Sequence, residues 1–90
     1  MIKDPAAQFQ LAFANLGGVL EAAGCGFDDV VDVTTFHVDI YARFDAFAAA
    51  KKTGFPDPPF PNWTAIGVVC LADPDLLLEI KATAKRASFT

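Results

Sequence analysis

Apolar residues recur along the first part of the chain at three- and four-residue steps, which is the period of an α-helix. The stripe runs from Phe9 to Ala23 and covers one helical face. Asp4 and Pro5 precede it as N-cap and first helical residue, and Gly24 follows it as a left-handed C-terminal cap. The pattern therefore predicts a first helix that begins after Asp4 and ends before Gly24.

A second stripe of the same period predicts another helix near the middle of the chain. It consists of Ile40, Phe44, Phe47 and Ala48. Asp39 precedes it as a capping residue, and Lys51 and Lys52 stand at its C-terminal end, where positive charge suits the helix dipole. The segment that follows, Gly54 to Asn62, contains four prolines and predicts a rigid, non-helical connector.

Three further segments have the composition and alternation of β-strands, namely 30–38, 63–71 and 76–85. The first has apolar residues on both faces, so one face is expected to meet helices and the other a second sheet or another subunit. Residues 76–85 alternate between an apolar and a polar face. A turn at Asp73, Pro74 and Asp75 predicts that the last two strands form an antiparallel hairpin. The first two, joined by a helix, are expected to be parallel with a right-handed crossover.

The resulting order α-β-α-β-β predicts a two-layer α+β fold in which the sheet packs on two helices and leaves one face open. A length of 90 residues allows one domain, covering residues 1–90. The hydrophobic fraction is 53% and the mean hydropathy is +0.35, against about 45–50% apolar residues in an average soluble domain. We therefore expect the excess apolar surface to be buried against other copies of the chain.

Charge and run length exclude several classes of function. The net charge of −4 disfavours a nucleic-acid partner, which requires clusters of basic residues. The longest nearly unbroken apolar run, residues 65–72, is far shorter than the roughly 20 residues of a membrane-spanning helix. The N-terminus does not resemble a secretory leader, so we expect a cytoplasmic protein with no membrane partner. Two cysteines and one histidine, widely spaced, predict neither a metal site nor a cofactor.

Several motifs in a fixed order resemble the RidA (YjgF) family, whose members include enamine and imine deaminases. They are LGGVLEAAG at 16–24 with FDDVVDVT at 27–34, TFHVD at 35–39, and PNWTAIGV at 61–68 with LEIKATA at 78–84. The resemblance implies a chorismate-mutase-like fold and a homotrimer whose open sheet faces form a central barrel. It also implies that a small imine or enamine binds in the cleft between adjacent subunits.

The chain departs from this family in two ways. Family members begin with several β-strands before the first long helix, whereas here the helix starts at Asp4. The chain is then a fragment, has a wrongly chosen start, or is a naturally shortened form. Deaminase members carry an arginine in a Pro-x-Arg sequence, where it would hold a substrate carboxylate in a bidentate pair. The matching residue here is Trp63, so the resemblance implies an altered range of less anionic substrates.

Four residues are predicted to form the site. Glu79 matches the acidic residue that the family places in its last strand, and it is the predicted catalytic group that orients water or moves a proton. Trp63, Thr64 and His37 are the predicted substrate-binding residues. Each has a structural alternative: Trp63 as a core or interface aromatic, Glu79 as the polar side of an amphipathic strand, and His37 as a packed, hydrogen-bonded side chain.

Three functions are therefore open at the level of sequence. The first is a RidA-type imine and enamine deaminase with an altered substrate range. The second is a trimeric protein of the same fold that binds a small molecule without catalysis. The third is a structural or protein-interaction module.

Overall fold

The first helix begins where the sequence predicts because Asp4 caps it. The structure, a computed structural model, describes residues 3–86, and helix α1 spans Pro5–Ala22 within it. The backbone N–H of Ala7 donates to Asp4 Oδ2 at 3.0 Å, and Pro5 occupies the first turn. The chain leaves the helix through Gly24 at a φ of 78°, which confirms the predicted left-handed turn.

The other elements follow in the predicted order. A short 3₁₀ turn, Phe27–Asp29, leads into strand β1, Val30–Val38, and helix α2 spans Ile40–Gly54. Strand β2 covers Asn62–Val68 and strand β3 covers Leu78–Ala84, so both are shorter than the sequence predicts. The α+β class and the order α-β-α-β-β are confirmed. That residues 1–90 form one domain stays a prediction.

Asp39 stands at the start of α2 but does not cap it in the expected way. Its backbone is left-handed, with a φ of 57°, and its side chain makes no capping hydrogen bond. The first backbone N–H groups of α2, which have no acceptor within the helix, therefore donate no hydrogen bond to the Asp39 carboxylate. Asp39 therefore serves as the turn between β1 and α2.

The sheet has the order β2-β1-β3, which shows that the predicted hairpin of the last two strands is wrong. Strand β1 pairs with β2 in parallel, as the strand–helix–strand pattern predicts, and with β3 antiparallel. The segment after β2 thus carries the chain past β1 to its other edge. This arrangement places the strand that is apolar on both faces at the centre, where both of its edges are hydrogen-bonded.

The two helices cover one face of the sheet and form the core with it. The buried apolar residues are Phe9, Phe13, Leu20, Val30, Val33, Phe47, Ala50, Phe55 and Leu78. In β1 the inward residues are Val33, Thr35 and His37. A register irregularity between Val30 and Asp32 interrupts the alternation, so Val31 is 50% exposed although it lies two residues before the inward-facing Val33.

The opposite face of the sheet carries no helix within residues 3–86. In the strand register Phe36 lies between Ile66 and Glu79, and Thr34 lies between Thr64 and Lys81. Ile66 is 40% exposed although it is a large apolar residue. The open face is therefore mixed, with an apolar strip across its middle and polar side chains beside it.

Candidate functional site

The sheet separates the four predicted site residues into two pairs. Glu79 lies beside Phe36 and Thr64 beside Thr34, so both belong to the open face. Trp63 and His37 belong to the face under the helices, where Trp63 lies beside Val33 of β1. A single chain therefore brings together Trp63 and His37 but leaves Glu79 and Thr64 on the other side of the sheet.

Glu79 is exposed and lines a groove of about 840 Å³ between α1 and β3. The groove is lined by Ala12, Asn15, Leu16 and Val19 of α1, Phe36 of β1, and residues 78–82 of β3. Consecutive residues of β3 take part, so the groove follows the outer edge of this strand. Its walls are mainly apolar, with Glu79, Lys81 and Asn15 as the polar groups, which is the composition of a small-molecule site.

Thr35 joins the two site residues beneath the helices. The indole Nε1–H of Trp63 donates to Thr35 Oγ1 at 3.2 Å, and His37 Nε2 lies 2.7 Å from the same oxygen. The hydroxyl has two acceptor positions and one proton, so it can accept from Trp63 while it donates to a neutral His37. Burial lowers the pKa of His37, which favours that neutral ring.

The ring of Trp63 is enclosed by other side chains. The centroids of Phe13, Phe47 and Phe55 lie 6.3, 6.1 and 5.3 Å from it. On the ring itself lies the ammonium of Lys51, with Nζ 4.2 Å from the centroid. These contacts support the core-aromatic interpretation of Trp63, since its only donor is engaged and its ring is packed.

Sequence reasoning missed Thr35 and Lys51. Thr35 lies two residues before His37 and therefore shares its face of the strand, which is the signal that could have identified it. Lys51 was assigned only to the helix dipole, because nothing in the spacing of Lys51 and Trp63 indicates that the end of α2 lies over the start of β2. That contact depends on the crossover from α2 to β2.

His37 also lines a second cavity, of about 490 Å³, at the opposite end of the sheet from Trp63. Its walls are the start of α2 and the ends of β1 and β2, including Asp39, Tyr41 and Val69. In the described part of the chain no three His, Cys, Asp or Glu side chains converge as a metal site. Nor does either helix of that part have the length and apolarity needed to cross a membrane.

The comparisons with known proteins agree with the sequence motifs. The family model described as Endoribonuclease L-PSP matches residues 1–86. The RutC family protein YjgH of Escherichia coli (strain K12) is 50% identical over 78 residues, which make up 87% of this chain and 58% of that protein. The chain therefore spans less than two thirds of the length of this relative.

Solved structures of relatives share the fold, and two of them illustrate the similarity. A structure of protein YJGH has a TM-score of 0.86 at 47% identity, and the matched region covers 92% of this chain and 62% of the YJGH chain. The crystal structure of E. coli TdcF with bound serine has a TM-score of 0.87 at 27% identity, covering 97% of this chain and 68% of its own. The predicted chorismate-mutase-like fold is thereby confirmed.

Proposed function

The chain belongs to the endoribonuclease L-PSP family, the RidA (YjgF) family of the sequence motifs, and on that premise we propose that it hydrolyses imines and enamines to release ammonia. The observation that carries this function is the position of Glu79. It occupies the acidic position of the family motif and stands exposed on the wall of the groove beside α1.

The chemistry requires one group that handles protons. The oxygen of water bonds to the imine carbon, the carbon–nitrogen bond breaks, and nitrogen leaves as ammonia while a carbonyl group forms. The carboxylate of Glu79 accepts a proton from the attacking water and passes it to the nitrogen, which gives a tetrahedral intermediate with a hydroxyl and an amino group. It then transfers the hydroxyl proton to the nitrogen as the carbon–nitrogen bond breaks, so that both protons of the water leave with ammonia. The apolar surface of Phe36, next to Glu79 in the register, keeps competing solvent away from one side of this carboxylate.

The substrates derive from amino acids or from molecules of similar size. TdcF, which shares the fold, has serine bound. The bidentate arginine clamp of the deaminases is replaced by Trp63, whose indole N–H is already bonded to Thr35. The substrate range therefore differs from that of arginine-bearing deaminases. Thr64 contributes a hydroxyl to the open face. On the other face His37 bonds to Thr35, which also accepts the indole N–H of Trp63.

The protein acts as a cytoplasmic homotrimer in this function. The apolar strip formed by Phe36 and Ile66 on the open face gives copies of the chain a surface to bury. A cleft between copies would bring Glu79 of one chain near groups that its own sheet keeps away from it. Sedimentation equilibrium should give three times the mass of the chain, and a stable monomer at micromolar concentration would contradict the trimer.

One observation favours a second candidate, a trimeric protein that binds a small molecule without catalysis. Glu79 lies on the opposite face from Trp63 and His37, so one chain does not assemble a complete set of catalytic and binding groups. RNA cleavage, named in the description of the family model, is disfavoured by the net charge of −4, since RNA binding requires phosphate-neutralising clusters.

Ammonia release from imines generated in situ by an amino-acid oxidase tests the function. We expect a rate above that in buffer, and a loss of about 10²-fold or more in Glu79→Gln, because general acid–base catalysis contributes on that scale. Glu21→Gln, which changes the exposed glutamate of α1 in the same way, should keep the wild-type rate. If the wild-type protein releases ammonia no faster than buffer alone, the enzyme function is rejected and the non-catalytic binding protein remains as the candidate.

A further inference from the structure

We propose that, in the function given above, Lys51 binds the carboxylate of the amino-acid-derived substrate, with Trp63 as the support that holds its ammonium in place. Lys51 lies in the last turn of α2, and Trp63 lies at the start of β2. The Nζ atom is 4.2 Å from the centroid of the Trp63 ring. A positive charge thus lies against the side chain that occupies the arginine position of the deaminase motif.

Trp63 itself has little left to offer a ligand. Its single hydrogen-bond donor is used on Thr35 at 3.2 Å. The rings of Phe47 and Phe55 pack near-perpendicular to its ring. The polar group left at this point is therefore the ammonium of the half-buried Lys51 above the indole, so the chain keeps a positive charge beside the tryptophan that stands in place of arginine.

Among the described residues the charge of Lys51 has no acidic partner. Over residues 3–86 the structure records one ion pair, between Lys3 and Asp75, and none that involves Lys51. The ammonium has three N–H donors and no acceptor capacity, and the indole ring satisfies its charge without accepting a conventional hydrogen bond. Those donors are free to bind an anion.

The contact with Trp63 also prepares Lys51 for binding. A lysine side chain in solvent loses much rotamer freedom when it binds a ligand, and this cost opposes binding. Lys51 is half-buried and already ordered by the indole, whereas its neighbour Lys52 is exposed. An anion should therefore be bound by Lys51 in preference to Lys52, although the two residues carry the same charge.

The chemistry of the ammonium defines the ligand class. It is a compact point charge, whereas a guanidinium is a planar fork that matches both oxygens of a carboxylate. Lys51 therefore makes a single charge-assisted contact and tolerates several orientations of the carboxylate. Small 2-imino acids and their parent amino acids fit this requirement, while uncharged imines lack the group that Lys51 binds. The proposed substrates are therefore anionic, in contrast to the less anionic range expected from the absence of the arginine.

Fluorescence of Trp63 provides a direct test, since it is the only tryptophan of the chain. We expect L-serine to change its emission saturably and L-serinamide, which lacks the carboxylate, to leave it unchanged. Lys51→Met should weaken L-serine binding about tenfold or more, the loss expected for a hydrogen bond to a charged group. Lys51→Arg should keep most of the affinity, and Lys52→Met should match the wild type.

The outcomes separate this proposal from the enzyme function. Equal binding of L-serine and L-serinamide, or undiminished L-serine binding in Lys51→Met with native circular dichroism, would overturn the role of Lys51. So would an absence of L-serine binding to the wild type. If imines are hydrolysed and Lys51→Met leaves KM for 2-imino acids unchanged, the role of Lys51 is rejected and the enzyme function is retained. If no imine is hydrolysed but L-serine binding depends on Lys51, the enzyme function is rejected and the role of Lys51 is retained.

Discussion

The ring of Phe27 fills the space beside Gly17, so that a Cβ atom at position 17 would lie 3.1 Å from Phe27 Cε2. The same ring also lies against Gly54 at the end of α2, where a Cβ would be 2.9 Å from Cε1. Phe27 is therefore wedged between α1 and the end of α2, and both helices accept it because they have glycine at the point of contact.

The position of Phe27 predicts that a glycine-to-alanine substitution changes the free energy of unfolding differently at each of three glycines. Nothing lies within 4 Å of a Cβ at Gly18, so Gly18→Ala should raise the free energy of unfolding by about 0.5–1 kcal/mol through helix propensity. At Gly17 the contact with Phe27 should cancel that gain. Gly54→Ala should lower the free energy by about 1–3 kcal/mol because the site is overpacked. Urea unfolding measures all three, and a stabilised Gly54→Ala would contradict the wedge.

Gln8 predicts a second loss of stability. Its Nε2 donates to the carbonyl oxygen of Asp75 at 3.0 Å, and its Oε1 accepts from the N–H of Leu77 at 2.6 Å. The side chain is buried and clamps α1 to the segment before β3. Gln8→Ala should lower the free energy of unfolding by about 1–3 kcal/mol, since it deprives a partly buried backbone N–H and C=O of the partner that Gln8 provides.

Gln10→Ala is the matched control for Gln8. Gln10 lies on the same helix but is exposed, and its Oε1 accepts a single bond from Thr53 at 3.2 Å. Its removal should change the free energy of unfolding by less than about 0.5 kcal/mol, as for other surface substitutions. Equal losses in the two variants would show that the clamp is not the cause.

His37 predicts a loss of stability in mild acid. Burial lowers its pKa below the ordinary histidine value of 6.5, so the unfolded chain binds its proton more readily than the folded one. This contribution is fully present above pH 6.5 and is lost as the pH falls from there towards the pKa of the folded state.

Unfolding in urea at a series of pH values between neutrality and mild acid measures this effect. His37 is the only histidine, so the slope of stability in this window should be markedly smaller in His37→Gln than in the wild type. Gln can still bond to Thr35 Oγ1, which keeps the packing comparable. A slope that persists in the variant would assign the titration to other groups.

Local signals in the sequence were sufficient to predict the helices and strands but not which strands pair with each other. Strand β1 has the predicted bounds because a β-branched run is set between Asp29 and Asp39, both in turns. The pairing of β3 with β1 was not predicted, because it depends on which edge of a central strand is free after the crossover. Adjacent strands and a short turn favour a hairpin, and only the gain from placing β1 at the centre overrides that preference.

For the candidate site as well, individual residues could be predicted from the sequence but contacts between elements could not. The motif pointed to Glu79 and Trp63 as candidates, and the alternation of β3 correctly placed Glu79 on its polar face, whereas Val31 of β1 departs from the alternation. The ammonium over Trp63 and the hydroxyl shared by Trp63 and His37 are contacts between elements, made by Lys51 and Thr35. No periodicity in the sequence encodes such contacts, because they depend on how α2 and β2 are oriented above β1.

The free outer edge of β3 has a consequence for the solution behaviour of the chain. Within residues 3–86 that edge is unpaired, and an unpaired edge is a template on which another chain can add a strand. The exposed side chains of β3 include Glu79 and Lys81, and in a parallel, in-register pairing of two identical strands each would face its like-charged copy, which opposes that arrangement. The strand that supplies the proposed catalytic carboxylate is therefore also expected to disfavour parallel, in-register association of two copies through this edge.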